Sequence, residues 1–386
     1  MMFVVSICLT SCHQLILRQA LLPSPADWRF YGGSIGRTNA STDEIRPPLT
    51  VAWDNDGGAG FSVYSAAAVS NLLFIGNLKG EVHVMDINTG KEAGMHDFGS
   101  AVIGTPAVDR EIMYVALGHK EISLIAYDLS DGSIPWKEKL GDIETSPLLV
   151  GDRIYVATVN GKLVCLNKET GFTAWEYEIP SRGTSRSAQN SPGMIHSSPA
   201  SDGNLVVFGC DDGCVYAVSV DNGQLKWRAK ALRSIVASPS ISGNAVFVGS
   251  LDSTFYAFDI ASGNIIWKQK LDSKIYASQS VGEKDVYVGT SEGILYSLSR
   301  ETGNIEWTFK ATSVISAPPL LSGNILYVGC LDKTLYAVDA TTGELKWKFD
   351  AGGRIKTMPI AYKGYLVLLE DDRTVVALKQ SRDRRE

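Results

Sequence analysis

The side chains able to do chemistry in this 386-residue sequence are few and scattered. Its five histidines, His13, His83, His96, His119 and His196, show no paired spacing of the kind that brings two imidazoles to one metal. Asp54-Asn55-Asp56-Gly57 has the opening of a calcium-binding loop, but Ser65 stands where a bidentate glutamate is needed, so a solvated turn is expected there. Glu144, Asp211 and Asp212 read as turn or rim carboxylates without a nearby base to divide acid and base roles with them. No G-x-S-x-G elbow, phosphate-binding loop or dinucleotide fingerprint occurs. Cys210 and Cys214 bracket a three-residue hairpin turn, so their Cβ atoms could face each other at disulfide distance. Two small residues on adjacent strands fit equally, because Cys330 holds the register of Cys210 with Thr334 opposite. These residues assign no catalytic, cofactor or metal site.

The frame that must position them is better marked. Charged residues make up 20% and hydrophobic ones 45% of the chain, with 37 Gly against 14 Pro, the composition of a folded protein with an ample core. Thirty-six basic and 42 acidic residues leave a net charge of −6, so there is no surplus for the phosphate contacts that dominate nucleic-acid affinity. Nucleic acid is not expected as a partner. Gly and Trp recur together at Gly132/Trp136, Gly171/Trp175, Gly223/Trp227, Gly263/Trp267, Gly303/Trp307 and Gly343/Trp347. The last three intervals between these Trp are 40 residues each and the first is 39, whereas Trp175 to Trp227 is 52. That is the period of a propeller blade, with about a dozen residues inserted once.

Residues 236–270 show the unit. Segments 236–241, 245–250, 254–259 and 265–270 are β-rich, and Ser242-Gly243-Asn244, Leu251-Asp252-Ser253 and Ser262-Gly263-Asn264 turn the chain between them. Such a meander carries an apolar face on either side that it cannot bury alone, and radial stacking buries both. Units open at Thr105-Pro106, Ser146-Pro147, Ser198-Pro199, Ser238-Pro239, Ser278 and Pro318-Pro319, with one more from Ser65 and a last from Met358-Pro359. The last unit lacks its Trp strand, whereas Leu49-Thr50-Val51-Ala52-Trp53 is a Trp strand with no unit before it. Pairing the two closes the ring and removes two open sheet edges. The expected fold is all-β, an eight-bladed β-propeller of four-stranded antiparallel blades.

Ala337, Asp339, Thr342, Gly343 and Trp347 spell Ala-x-Asp-x-x-Thr-Gly-x-x-x-Trp, and Ala257, Asp259, Ser262, Gly263 and Trp267 repeat it with one conservative change. This pattern resembles the tryptophan-docking motif of quinoprotein-like (PQQ-type) eight-bladed propellers, over roughly residues 49 to 379. The resemblance implies structural docking roles for Trp53, Trp136, Trp175, Trp227, Trp267, Trp307 and Trp347. Dehydrogenases of that class are longer, hold their quinone in the central funnel with calcium ligands and an aspartate base, and commonly cover it with a disulfide between adjacent cysteines. No two cysteines are adjacent here and the turns leave little chain for extra walls, so no cofactor is expected. A PQQ-dependent dehydrogenase stays as the lesser alternative.

The functional signals lie outside the repeat. Residues 1–10 are apolar and uncharged, and Leu9-Thr10-Ser11-Cys12 resembles a bacterial lipoprotein box with Cys12 as the lipid-bearing residue. No basic leading region precedes the run, so either the true start lies upstream or the match is accidental. With His13 next in sequence, an acylated product would go to the outer membrane, and the oxidising periplasm would permit a Cys210–Cys214 bond. The insertion at 179–196 falls on a loop, where partners bind, with Arg182 and Arg186 as donors and Met194 and Ile195 as an apolar anchor. An eight-bladed, lipid-anchored, cofactor-free propeller with a long loop before its fourth blade resembles the BamB family of outer-membrane β-barrel assembly lipoproteins. That family's loop reads Leu-Arg-Gly-x-Ser-x-Pro and its next blade opens Asp-x-Asp-Thr-Thr-Pro; here only Ser197, Pro199 and Pro239 match. The implied organisation is a signal and lipobox at 1–12, an N-terminal linker at 13–48, the propeller at 49–379 and a charged tail at 380–386. The implied role is that of a non-catalytic, monomeric scaffold on the periplasmic side of the outer membrane. It would bind a protein partner, the barrel-assembly subunit in the specific reading, and meet the membrane only through its lipid; without the lipobox it would be secreted or periplasmic. An envelope sensor or glycan-contacting propeller is the alternative.

Overall fold

The computed structural model describes residues 15–17, 20–64, 66–119, 121–180 and 193–381. Their strands form eight antiparallel sheets of four strands, one of them extended by a two-residue parallel strand, and no helix occurs among the described residues. In chain order, blades 1 to 7 span residues 67–97, 107–138, 148–178, 200–230, 240–270, 280–310 and 320–350. Blade 8 takes three strands from residues 360–380 and its outermost strand from Leu49–Asp56, which pairs antiparallel with Thr374–Gln380. The ring is closed as expected.

Blade 5 shows why the sequence folds this way. Its two middle strands, Ala245–Gly249 and Thr254–Asp259, lie between neighbouring blades and are buried along almost their whole length, so Val246-Phe247-Val248 and Phe255-Tyr256-Ala257-Phe258 are continuously apolar. Its outer strand Ile265–Lys270 has one face in water and alternates. Trp267 stands opposite Ala257, where the ladder slips between Ala257 and Phe258, and the indole leans onto Gly303 of blade 6. A Cβ at Gly303 would come within 2.5 Å of that ring, and its φ of +76° is a conformation that suits glycine. The indole Nε1–H donates to the Arg300 carbonyl at 3.0 Å. Trp53, Trp136, Trp175, Trp227 and Trp307 repeat the arrangement on Gly90, Gly171, Gly223, Gly263 and Gly343, each donating to a carbonyl three residues before the glycine.

Two interfaces depart from this pattern. In blade 1 Gly94 stands where an indole is expected, and the carbonyl of Leu129 that it would have met accepts the Leu17 N–H at 2.6 Å instead. Leu15 and Leu17 are buried there against Tyr127 and Leu129. Trp347 is the second departure: among the described residues no glycine turn of blade 8 meets its ring, and that blade's fourth strand comes from the N-terminal side.

The largest correction concerns the supposed linker at 13–48. Residues 28–41 thread the middle of the ring and bond to every blade. The innermost strand of each blade has an unpaired side facing the axis, and buried backbone groups need partners. The hairpin supplies them: the N–H groups of Ala68, Val108, Ser201, Ile241, Val281 and Leu321 donate to the carbonyls of Trp28, Arg29, Ile35, Gly36, Thr38 and Asn39. Blade 3 is reached by Arg37, which donates to the Ser146 carbonyl at 3.0 Å, and blade 8 by Trp28, whose Nε1–H donates to the Ala361 carbonyl at 2.9 Å. Trp28 runs antiparallel to Ala68 and Ala40–Ser41 parallel to Leu320–Ser322. The segment therefore enters and leaves through the face bearing the hairpins around Ser70 and Ser322, to which Leu22 and Ile45 are hydrogen-bonded.

Candidate functional site

At the opposite face the ring opens into a funnel. Before the inner strand of blades 3 to 8 stands an isoleucine, Ile143, Ile195, Ile235, Ile275, Ile315 or Ile355, each at most 1% exposed. The residue after it points the other way. Glu144, His196, Val236, Tyr276 and Ser316 from these positions, with Val63 and Ile103 from the first two blades, line a cavity of about 390 Å³. Lys356 holds the eighth position and its ammonium turns outward to Asp371 at 3.2 Å. This register corrects the expectation that Ile195 is a surface anchor: it is a fully buried core residue, whereas its neighbour Met194 is 45% exposed. Arg182 and Arg186 lie outside the described residues, as does Cys12.

The tip of the central hairpin makes the floor. Tyr31 and Tyr64 meet edge to face, with ring centroids 5.0 Å apart. Tyr31 donates to Ser278 Oγ at 3.2 Å and Tyr64 to the His196 carbonyl at 3.0 Å. Burial pushes both phenols up, so they remain neutral donors. Beneath them the buried Arg37 guanidinium is ringed by the carbonyls of Tyr31, Ser146, Pro147 and Pro199. Burial lowers its pKa to about 10, which leaves it cationic at neutral pH.

One wall is acidic. His196 Nδ1 lies 3.0 Å from Glu144 Oε2 and its Nε2 lies 3.5 Å from Asp211 Oδ2, so the imidazole stands between two carboxylates. Burial pushes the Asp211 carboxyl up, His196 draws it down and Asp212 pushes it up again. Its Oδ1 is buried and finds no donor among the described residues. Reading Glu144, Asp211 and His196 as isolated missed this cluster. The available signal was register, since Glu144 and His196 occupy the same place ahead of Ser-Pro in consecutive units.

Both ring nitrogens of His196 face carboxylates, so neither is placed to take a proton from a nucleophile. The arrangement suits binding of a donor-rich or cationic group beside aromatic and aliphatic surface. It does not suit a calcium-held quinone. Among the described residues no group of three or more His, Cys, Asp and Glu converges to hold a metal, and the chain's own hairpin fills the channel beneath. Cys165, Cys210, Cys214 and Cys330 are buried thiols rather than disulfides. The Cys210 N–H donates to the Cys214 carbonyl at 3.0 Å across the turn.

Comparison with known proteins gives a consistent picture. A family model described as outer membrane protein assembly factor BamB matches residues 32–210, 211–318 and 310–385. The chain is 24% identical over 196 residues to outer membrane protein assembly factor BamB of Yersinia pestis, covering 47% of this chain and 48% of that protein. It is 23% identical over 222 residues to the protein of the same name from Burkholderia pseudomallei, covering 56% and 54%. These matches thus span about half the length of the curated relatives. Among solved structures, BamB from Moraxella catarrhalis superposes with a TM-score of 0.71 at 18% identity, over 86% of this chain and 99% of that one. Quinohemoprotein alcohol dehydrogenase from Comamonas testosteroni superposes with a TM-score of 0.77 at 14% identity, over 92% and 81%. At such identities the structural likenesses speak for the fold alone.

Proposed function

The chain belongs to the family of the outer membrane protein assembly factor BamB, and from that premise we propose that it is a non-catalytic scaffold for outer-membrane β-barrel assembly. It presents the funnel mouth and the loop before blade 4 to a protein partner. Lipid on Cys12 holds it at the periplasmic side of the outer membrane. The observation that carries the non-catalytic reading is the occupied channel: residues 28–41 bond to all eight blades, and among the described residues a mouth of about 390 Å³ stands above Tyr31. That mouth offers Glu144 as an acceptor, with Val63, Ile103, Val236 and Tyr276 as apolar contact area, and Asp211 stands behind His196.

Photocrosslinking tests it in intact membranes. A photoreactive residue at position 194 or 276 captures the barrel-assembly subunit, and one at position 266, on an outer strand, does not. Capture of glycans or soluble proteins alone, or equal capture from position 266, counts against the scaffold. Cys12→Ser is expected to move the protein from the membrane to the soluble fraction, and unchanged membrane retention removes the anchor.

A further inference from the structure

Six of the eight blade interfaces are closed by an indole resting on a glycine turn of the next blade, and a seventh by Leu15 and Leu17 lying where Gly94 leaves no indole. The interface between blades 7 and 8 has the indole, Trp347, half-buried, and no glycine turn among the described residues meets its ring. Every other blade continues past its third strand into a tight turn, but in blade 8 the chain runs from Gln380 to Ser381, whose N–H bonds to the Pro48 carbonyl. The result is a groove of about 750 Å³ lined by Trp347, Ile325, Pro47, Pro48, Glu44 and Arg46. The Trp347 ring is stacked on Phe349 with centroids 6.0 Å apart. Its Nε1–H finds no acceptor among the described residues, whereas the other six bond at 2.7 to 3.0 Å.

We propose that this groove is a docking site for a glycine-containing β-turn of a partner protein. The molecule itself displays the required ligand six times. The occupant carries a glycine with φ near +70°, lacking the Cβ that would strike the ring, and a carbonyl three residues earlier to accept the indole N–H. Residues 382–386, Arg-Asp-Arg-Arg-Glu, contain no glycine. The groove includes Ser322-Gly323-Asn324, on the face opposite the funnel mouth, so it goes beyond the partner contact proposed above and leaves that face open.

The test uses the full chain with 15N-labelled indoles, the Trp347 resonance being assigned from the Trp347→Phe variant. In the free protein the six bonded indole N–H groups resist hydrogen exchange, and that of Trp347 exchanges more than about tenfold faster. A synthetic peptide copying residues 335–345, added at millimolar concentration, shifts the Trp347 resonance selectively and slows its exchange. The same peptide with Gly343→Val does neither. A protected Trp347 N–H in the free chain would show the groove already filled by the protein itself and overturn the proposal. So would the absence of a shift, or an equal shift from the valine peptide.

Discussion

Arg37 sits at the axis of the ring without a carboxylate beside it, its charge met by the carbonyl dipoles of Tyr31, Ser146, Pro147 and Pro199. A planar fork reaches four oxygens from two directions; an ammonium does not. Arg37→Met is expected to leave several of these carbonyls buried and unmet, at a cost of about 3 kcal/mol in urea unfolding, with Arg37→Lys recovering little of it. Glu81 gives a pH signature. Burial opposes its charge, but Lys79, Asn77 and His83 outweigh that and lower its pKa to about 2 from 4.5. A depressed carboxyl stabilises the fold fully above the unfolded value and loses that contribution as pH falls from about 4.5 towards 2. Glu81→Gln is expected to flatten the decline of melting temperature across that window, and an unchanged decline would remove Glu81 as its source.

At the scale of the element, the hairpin of residues 28–41 acts as a hub. Its carbonyls take six inner-strand amides that would otherwise face an empty channel, those of Ala68, Val108, Ser201, Ile241, Val281 and Leu321. The fit is close, since a Cβ on Gly36 would lie 2.4 Å from the Ile241 carbonyl oxygen. Gly36→Val is therefore expected to displace the hairpin. Hydrogen exchange should then rise by about tenfold or more at those six amides before it rises at the middle strands of the blades. Uniform exchange across each blade would show that the hairpin and the ring open as one unit.

Closure sets the stability of the whole molecule. A ring of blades has no free edge once Leu49–Asp56 pairs with Thr374–Gln380, and Trp53 fastens that joint to blade 1 through Gly90 and the Ile87 carbonyl. The indoles are consequently unequal. Trp53→Ala and Trp267→Ala should each cost about 3–5 kcal/mol, the usual range for truncating a buried aromatic residue. Trp347→Ala, which removes an indole beside an open groove, should cost nearer 1–2 kcal/mol. Chemical denaturation of the three variants checks the order, and equal losses would mean that the groove between blades 7 and 8 is filled in solution.

What the sequence by itself determined is what a few neighbouring residues can encode. The turn at Ser262-Gly263-Asn264, the apolar run at Phe255-Tyr256-Ala257-Phe258 and the small residue opposite Trp267 act within one blade, and their 40-residue recurrence specifies eight blades and the strand that closes them. Only the tertiary structure decided what fills the ring. Residues 28–41 find partners as far as 333 positions along the chain, as in Trp28 with Ala361, and no period marks such pairs. The same distance hid Glu144 and Asp211 on either side of His196, and hid the vacant turn beside Trp347, because these arrangements exist only after separate blades have been brought face to face.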